Sequence, residues 1–142
     1  MKHLVIAFTA LMAASCATPH HHEEPDAQQN GAGQYPPPGS NQVLRASVTV
    51  AEGLEVIISD VVIPPHTTVP RHYHPGEEFL YVLDGYAIHV EEGKADQILR
   101  AGDSYVIPPR AEHAPRGGPE GARAIVFRLH VEGEAERTLV NE

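Results

Sequence analysis

Two histidines stand two residues apart in the run His72-Tyr73-His74-Pro75-Gly76-Glu77-Glu78. Successive side chains of a strand point to opposite faces, so His72 and His74 project from one face and can chelate a single ion together. Glu78 has the same parity, but Pro75 and Gly76 interrupt the pleat, and spacing alone leaves Glu77 and Glu78 both open as the accompanying carboxylate. Further on, the strand Tyr105-Val106-Ile107 stops at Pro108-Pro109 and the turn that follows presents His113. A histidine brought back to the first pair would enlarge the chelate. The competing reading makes these histidines polar members of a strand face, hydrogen-bonded and free of metal.

The elements that must position them are strands. From residue 43 onward, short apolar runs are broken every eight to twelve residues by Gly, Pro or Asp. The runs 43–50, 54–63, 69–74, 78–83, 86–91, 97–100, 104–107 and 124–131 read as strands, with turns at Asp84-Gly85, Glu92-Gly93, 101–103 and 116–121. The run 54–63 is nearly continuous in apolar residues, as a buried strand should be. No helical period of useful length appears. The chain has 42% hydrophobic residues, no Trp and three Phe, so its core must come from Val, Ile, Leu and Tyr, a composition that favours sheet. Regular short strands in about 100 residues imply an all-β sandwich or barrel of jelly-roll type. One domain of this kind, residues 43–142, is expected within the 142-residue chain.

A net charge of −9 argues against a nucleic-acid surface, which needs clustered Lys and Arg. The first sixteen residues have a basic Lys2, an apolar stretch and small residues before Cys16, the form of a secretory signal that is too short for a permanent membrane span. Two processing outcomes follow. Ala13-Ala14-Ser15-Cys16 resembles a bacterial lipobox, which makes Cys16 the lipidated first residue of the mature chain; ordinary cleavage nearby releases a soluble protein. The lipobox is the preferred reading, because a lone cysteine has no structural role at the end of an apolar stretch. It places the protein outside the cytoplasm, in a periplasm, held to the bacterial membrane by lipid alone. Residues 17–42 carry His, Glu, Gln, Gly and Pro36-Pro37-Pro38 with almost no large apolar side chain, and read as a disordered linker. Its His20-His21-His22 is read as a solvated tract.

The two histidine segments together resemble the two sequence motifs of the cupin superfamily. The first matches at His72, His74, Glu78 and Gly85, the second at Gly102, Pro108 and His113, each with the family's spacing. Separately such motifs are weak, but in this order and on expected strands they are specific. Three positions depart from the pattern. His66 and Arg110 stand where the family has glycine, and Gly117 stands where it has Asn. A glycine there marks a turn of positive φ, so His66 and Arg110 must adopt that conformation or use another turn.

The resemblance implies a double-stranded β-helix barrel in which His72, His74, Glu78 and His113 bind one divalent metal. Three imidazoles and a carboxylate suit Fe, Mn, Ni, Cu or Zn, whereas an all-oxygen shell would suit Mg or Ca. It further implies a small-molecule substrate or ligand and a homodimer. Two functions stay open: a small metalloenzyme of dioxygenase or isomerase type acting on an oxygen-bearing molecule, or a non-catalytic module that holds a metal or small ligand. No catalytic acid or base is named by the sequence. His89 is either an outer neighbour of the metal site or an exposed strand residue; His66 and His130 read as structural or solvated, Tyr73 as packing, Glu77 as a surface carboxylate and Arg110 as a solvated turn residue.

Overall fold

The computed structural model describes residues 35–140; the signal segment, Cys16 and most of the linker lie outside them. Eight strands occur in chain order: β1 (Gly39–Ser47), β2 (Leu54–Ile63), β3 (His72–Tyr73), β4 (Glu78–His89), β5 (Gln97–Arg100), β6 (Ser104–Ile107), β7 (Arg116–Val131) and β8 (Thr138–Leu139). There is no helix among the described residues, in keeping with the all-β expectation.

The large sheet runs β1-β2-β7-β4, all antiparallel neighbours, and the far edge of β4 is shared by β6 at its start and β5 at its end. Against it lies a smaller face, where β3 pairs with β8 and exchanges backbone hydrogen bonds with His113 (His72 N to His113 O 3.0 Å, His113 N to His72 O 2.9 Å). Apolar side chains line the space between. Ile57 and Ile63 from β2, Val82 from β4, Leu99 from β5, Ile107 from β6 and Val126 from β7 are buried apolar members of the core.

β2, β5 and β6 fall on the expected residues, β8 lies outside every expected run, and four other elements differ. β1 begins at Gly39, inside the stretch read as linker. It pairs with β2 from Gly39↔Val62, and the Asn41 amide donates both to Pro37 O (2.9 Å) and to Asp60 O (3.0 Å). The expected strand 69–74 shrinks to the two residues of β3, because Pro70 and the turn after His74 limit the pairing. Asp84-Gly85 is no turn. β4 passes through it as one strand, and the register against β7 slips at Val82/Asp84 and again at Gly85/Ala87, the mark of bulges. Residues 116–121, read as a turn, open the sixteen-residue β7 despite Pro119.

The bulges decide which side chains reach the interior. Before them the even-numbered Glu78 and Val82 are buried while Phe79, Tyr81 and Leu83 are exposed; after them His89 is buried. A slip of one residue exchanges the faces of everything beyond it.

The three departures from the family pattern have physical explanations. His66 (φ 56°) and Arg110 (φ 61°) both take the left-handed conformation the turn demands, at a cost of about 1–2 kcal/mol each relative to glycine. Gly117 sits where a Cβ would come within 2.3 Å of Pro64 O, so no larger residue fits.

Candidate metal centre

The sheet pairing brings three of the four expected ligands into one cluster. Nitrogen atoms of His72, His74 and His113 all lie within 4.8 Å of one another, and all three residues are buried. The backbone exchange between β3 and His113 fixes that separation. Arg110 N donates to His74 O at 2.8 Å, closing the turn that carries His113 back.

Each imidazole is oriented by a backbone carbonyl. Nδ1 of His72 faces Pro70 O (2.7 Å), Nδ1 of His74 faces Glu136 O, and Nδ1 of His113 faces Ala111 O (2.9 Å). A carbonyl can only accept, so every Nδ1 carries a proton, and a ring that is neutral then presents its Nε2 as a bare lone pair. Burial, reinforced by the neighbouring His113 imidazole competing for the proton and by the Arg137 and Arg128 charges, pushes His72 down to about 4; burial together with Arg128 pushes His74 down to about 3. These two rings are therefore neutral at physiological pH, as metal ligands must be.

Glu78 completes the arrangement. Its Oε1 lies 3.2 Å from His74 Nε2 and 3.4 Å from His113 Nε2, yet Glu78 Oε1 and His74 Nε2 are buried without a hydrogen bond. Electron pairs thus converge with no donor among them, an arrangement that costs free energy unless a cation joins it. Ligand bonds of about 2.0–2.2 Å place neighbouring donor atoms roughly 2.9–3.5 Å apart, which matches both contacts. The residues fit a divalent ion. Glu77 stands outside this cluster, half-buried, and its carbonyl pairs with Leu129 N (2.9 Å).

The second oxygen of Glu78 is held by a residue that spacing did not reveal. Arg128 Nε donates to Glu78 Oε2 at 2.9 Å, and its Nη1 reaches Ser59 Oγ and Glu136 Oε1, each at 3.2 Å. The pattern Val126-Phe127-Arg128-Leu129-His130 did contain a signal. It puts Arg128 on the face of Val126 and His130, where a charge needs a buried partner.

The cluster opens on a cavity of about 460 Å³ between the two faces, lined largely by apolar residues such as Ile63, Leu80, Val82, Leu99, Ile107 and Val126. His89 also lines it, 2% exposed and 5.7 Å from His113 between ring centroids; its Nε2 meets Glu91 Oε2 at 3.1 Å. His89 is therefore the outer neighbour of the site and not an exposed strand residue. Glu91 in turn holds Lys94 (2.7 Å) and Tyr105 (3.3 Å). The remaining candidates lie elsewhere. Arg110 is exposed, its guanidinium 5.8 Å above the Tyr73 ring, which accounts for both residues; His66 is exposed in its turn, and His130 is buried structurally against Glu134 O (3.2 Å).

Acid should unfold the metal-free domain. Above pH 6.5 His72 and His74 are neutral whether folded or not; below it the unfolded chain takes up protons that the folded site refuses, so stability is lost progressively as pH falls from 6.5 through about 4. The urea midpoint of chelator-treated protein is expected to fall between pH 7.5 and pH 5, and to fall less in His74→Gln.

Comparison with known proteins agrees with this geometry. The family model described as Cupin domain matches residues 59–128, which include every residue of the cluster. The 3-hydroxyanthranilate 3,4-dioxygenase of Burkholderia lata is 34% identical over 95 residues, covering 65% of this chain and 50% of that protein. The D-lyxose ketol-isomerase of Cohnella laeviribosi is 31% identical over 90 residues, covering 44% of this chain and 50% of that one. The chain thus spans about half the length of these curated relatives. Among solved structures, a Klebsiella pneumoniae protein with a double-stranded β-helix domain superposes with a TM-score of 0.53 at 20% identity, covering 75% of this chain and 90% of that one, a likeness of fold. With the candidate ligands of both motifs gathered at the cavity and the family model spanning them, the chain belongs to the cupin superfamily.

Proposed function

We propose that His72, His74, Glu78 and His113 hold one divalent transition ion, Fe, Mn, Ni, Cu or Zn, and that the domain is a small metalloenzyme of dioxygenase or isomerase type. The observation that carries this reading is the convergence of unpaired acceptors, His74 Nε2 and Glu78 Oε1 among them, at the wall of an apolar cavity. A bound ion would offer open positions to water, dioxygen or a substrate oxygen. The chain's own residues define what enters. Apolar walls exclude water and favour a compact body such as one ring, His89 supplies a polar group beside His113, and the volume is that of a small-molecule pocket. The names of the two relatives support the reaction types.

The test begins with elemental analysis of protein taken from its native compartment. Dioxygen uptake by the iron, copper, manganese and nickel forms on 3-hydroxyanthranilate and aromatic diols is then measured, alongside aldose–ketose interconversion. Turnover in either assay supports the enzyme. Tight metal retention without turnover leaves a binding module, and no metal after refolding with several divalent ions sinks the site itself.

The location proposed is outside the cytoplasm, with Cys16 lipidated; unchanged membrane partitioning in Cys16→Ala would refute the anchor. The proposed assembly is a homodimer. Val106, Phe79, Phe127, Ile58 and Leu44 are successive cross-strand partners on the outer face of β6, β4, β7, β2 and β1, and all but Ile58 are exposed. Such an apolar row suits a second copy. Light scattering should give a dimer that Phe127→Glu dissociates, and a monomeric wild type would end the proposal.

A further inference from the structure

Glu78 and Arg128 are direct cross-strand partners on β4 and β7, 4% and 7% exposed. The guanidinium is held from three sides: by Glu78, by Ser59 of β2, and by Glu136 from the segment that leads into β8. Glu136 is tied down in its own right. Its Oε2 meets Arg45 Nη2 of β1 at 3.2 Å, its main-chain carbonyl receives His74 Nδ1, and β8 just beyond it pairs with the histidine strand β3. One residue therefore touches two ligands, His74 through its carbonyl and Glu78 through Arg128.

A carboxylate with both oxygens free can bind a metal through two atoms and occupy two coordination positions. Here Oε2 is committed to a charged, planar donor that three partners fix in place, while Oε1 alone faces the imidazoles. We infer that Arg128, braced by Glu136, is a positioning residue that restricts Glu78 to single-oxygen ligation and so keeps one further coordination position open for substrate. This rests on the metal-centre reading above. It adds that the C-terminal segment governs the coordination number of the ion. Outer partners of metal ligands commonly alter affinity by about 10–100-fold when removed.

Cobalt(II) tests it, because its visible d–d absorption is strong at low coordination number and weak at high. Wild type, Arg128→Met, Arg128→Lys and Glu136→Ala are loaded with cobalt(II), and stoichiometry, affinity and spectrum are compared. Glu136→Ala removes the brace at a half-exposed side chain, spares the carbonyl that orients His74, and leaves no buried carboxylate unpaired, so it reports even where Arg128→Met fails to fold. The expected result is one cobalt per chain throughout, with weaker d–d absorption in Arg128→Met and Glu136→Ala and a spectrum nearer wild type in Arg128→Lys. Affinity should change by about 10–100-fold in Arg128→Met. Spectra and affinities indistinguishable from wild type in Glu136→Ala and in every folded Arg128 variant would overturn the inference while leaving the metal centre intact. A wild type that binds no cobalt would instead refute the metal-centre reading beneath it.

Discussion

Adding a divalent transition ion to the stripped domain is expected to raise its unfolding midpoint by on the order of 20 °C. A ligand present at a thousand times its dissociation constant stabilises the state it binds by about 4 kcal/mol, and a domain of roughly 100 residues gains about 4–8 °C per kcal/mol. The physical source is the removal of the electron-pair repulsion around His74 Nε2 and Glu78 Oε1, which the metal-free fold must carry. His72→Ala, His113→Ala and Glu78→Gln should each reduce the metal-dependent gain to a few degrees at the same ion concentration, because a lost ligand weakens binding by more than the roughly hundredfold typical of an outer neighbour. Glu77→Gln should leave the gain intact. Comparing each variant with and without metal separates lost binding from lost folding, and scanning calorimetry with and without excess ion reads both. A full metal gain in Glu78→Gln would remove Glu78 from the ligand set.

Gly76→Ala is expected to cost about 3 kcal/mol or more, at the upper end of what overpacking does. A Cβ at position 76 would stand 1.6 Å from the carbonyl oxygen of Leu129 and 2.8 Å from its carbon. Neither atom can rotate away, since both belong to the backbone of β7, the strand that carries Arg128 and His130. The turn and the strand must separate, and the turn is what spans His74 and Glu78. Two readouts should therefore fail together: the urea midpoint, and the affinity for metal in whatever fraction stays folded. A variant with wild-type stability would show that the close approach of Gly76 to β7 is not maintained in solution.

The legible parts of the site were those with local signatures. His72 and His74 announce themselves by spacing on a strand, and His113 by its place after the Pro108-Pro109 stop. Choosing Glu78 over Glu77 needed the family spacing, and the structure puts Glu78 beside the imidazoles. What stayed hidden depends on register. Arg128 faces Glu78 because β4 and β7 align there, and Glu136 reaches Arg128 and His74 because β8 docks on β3. No short-range pattern encodes either pairing. Asp84-Gly85 and the glycines around Pro119 misled for the opposite reason. They are strong turn signals that long-range pairing overrides, converting one into a bulge and the other into the first stretch of β7.

The bulged stretch of β4 carries a consequence for how this chain can change. Removing a single residue between Val82 and Ala87 would re-phase the strand beyond it, turning His89 outward and Ile88 and Val90 inward, without any substitution in the cavity. The polar group beside His113 would give way to hydrocarbon in one step. Pocket chemistry here is thus written partly in chain length, so that gain or loss of one codon, distant from every ligand, can redirect what the cavity accepts while the three histidines stay in place.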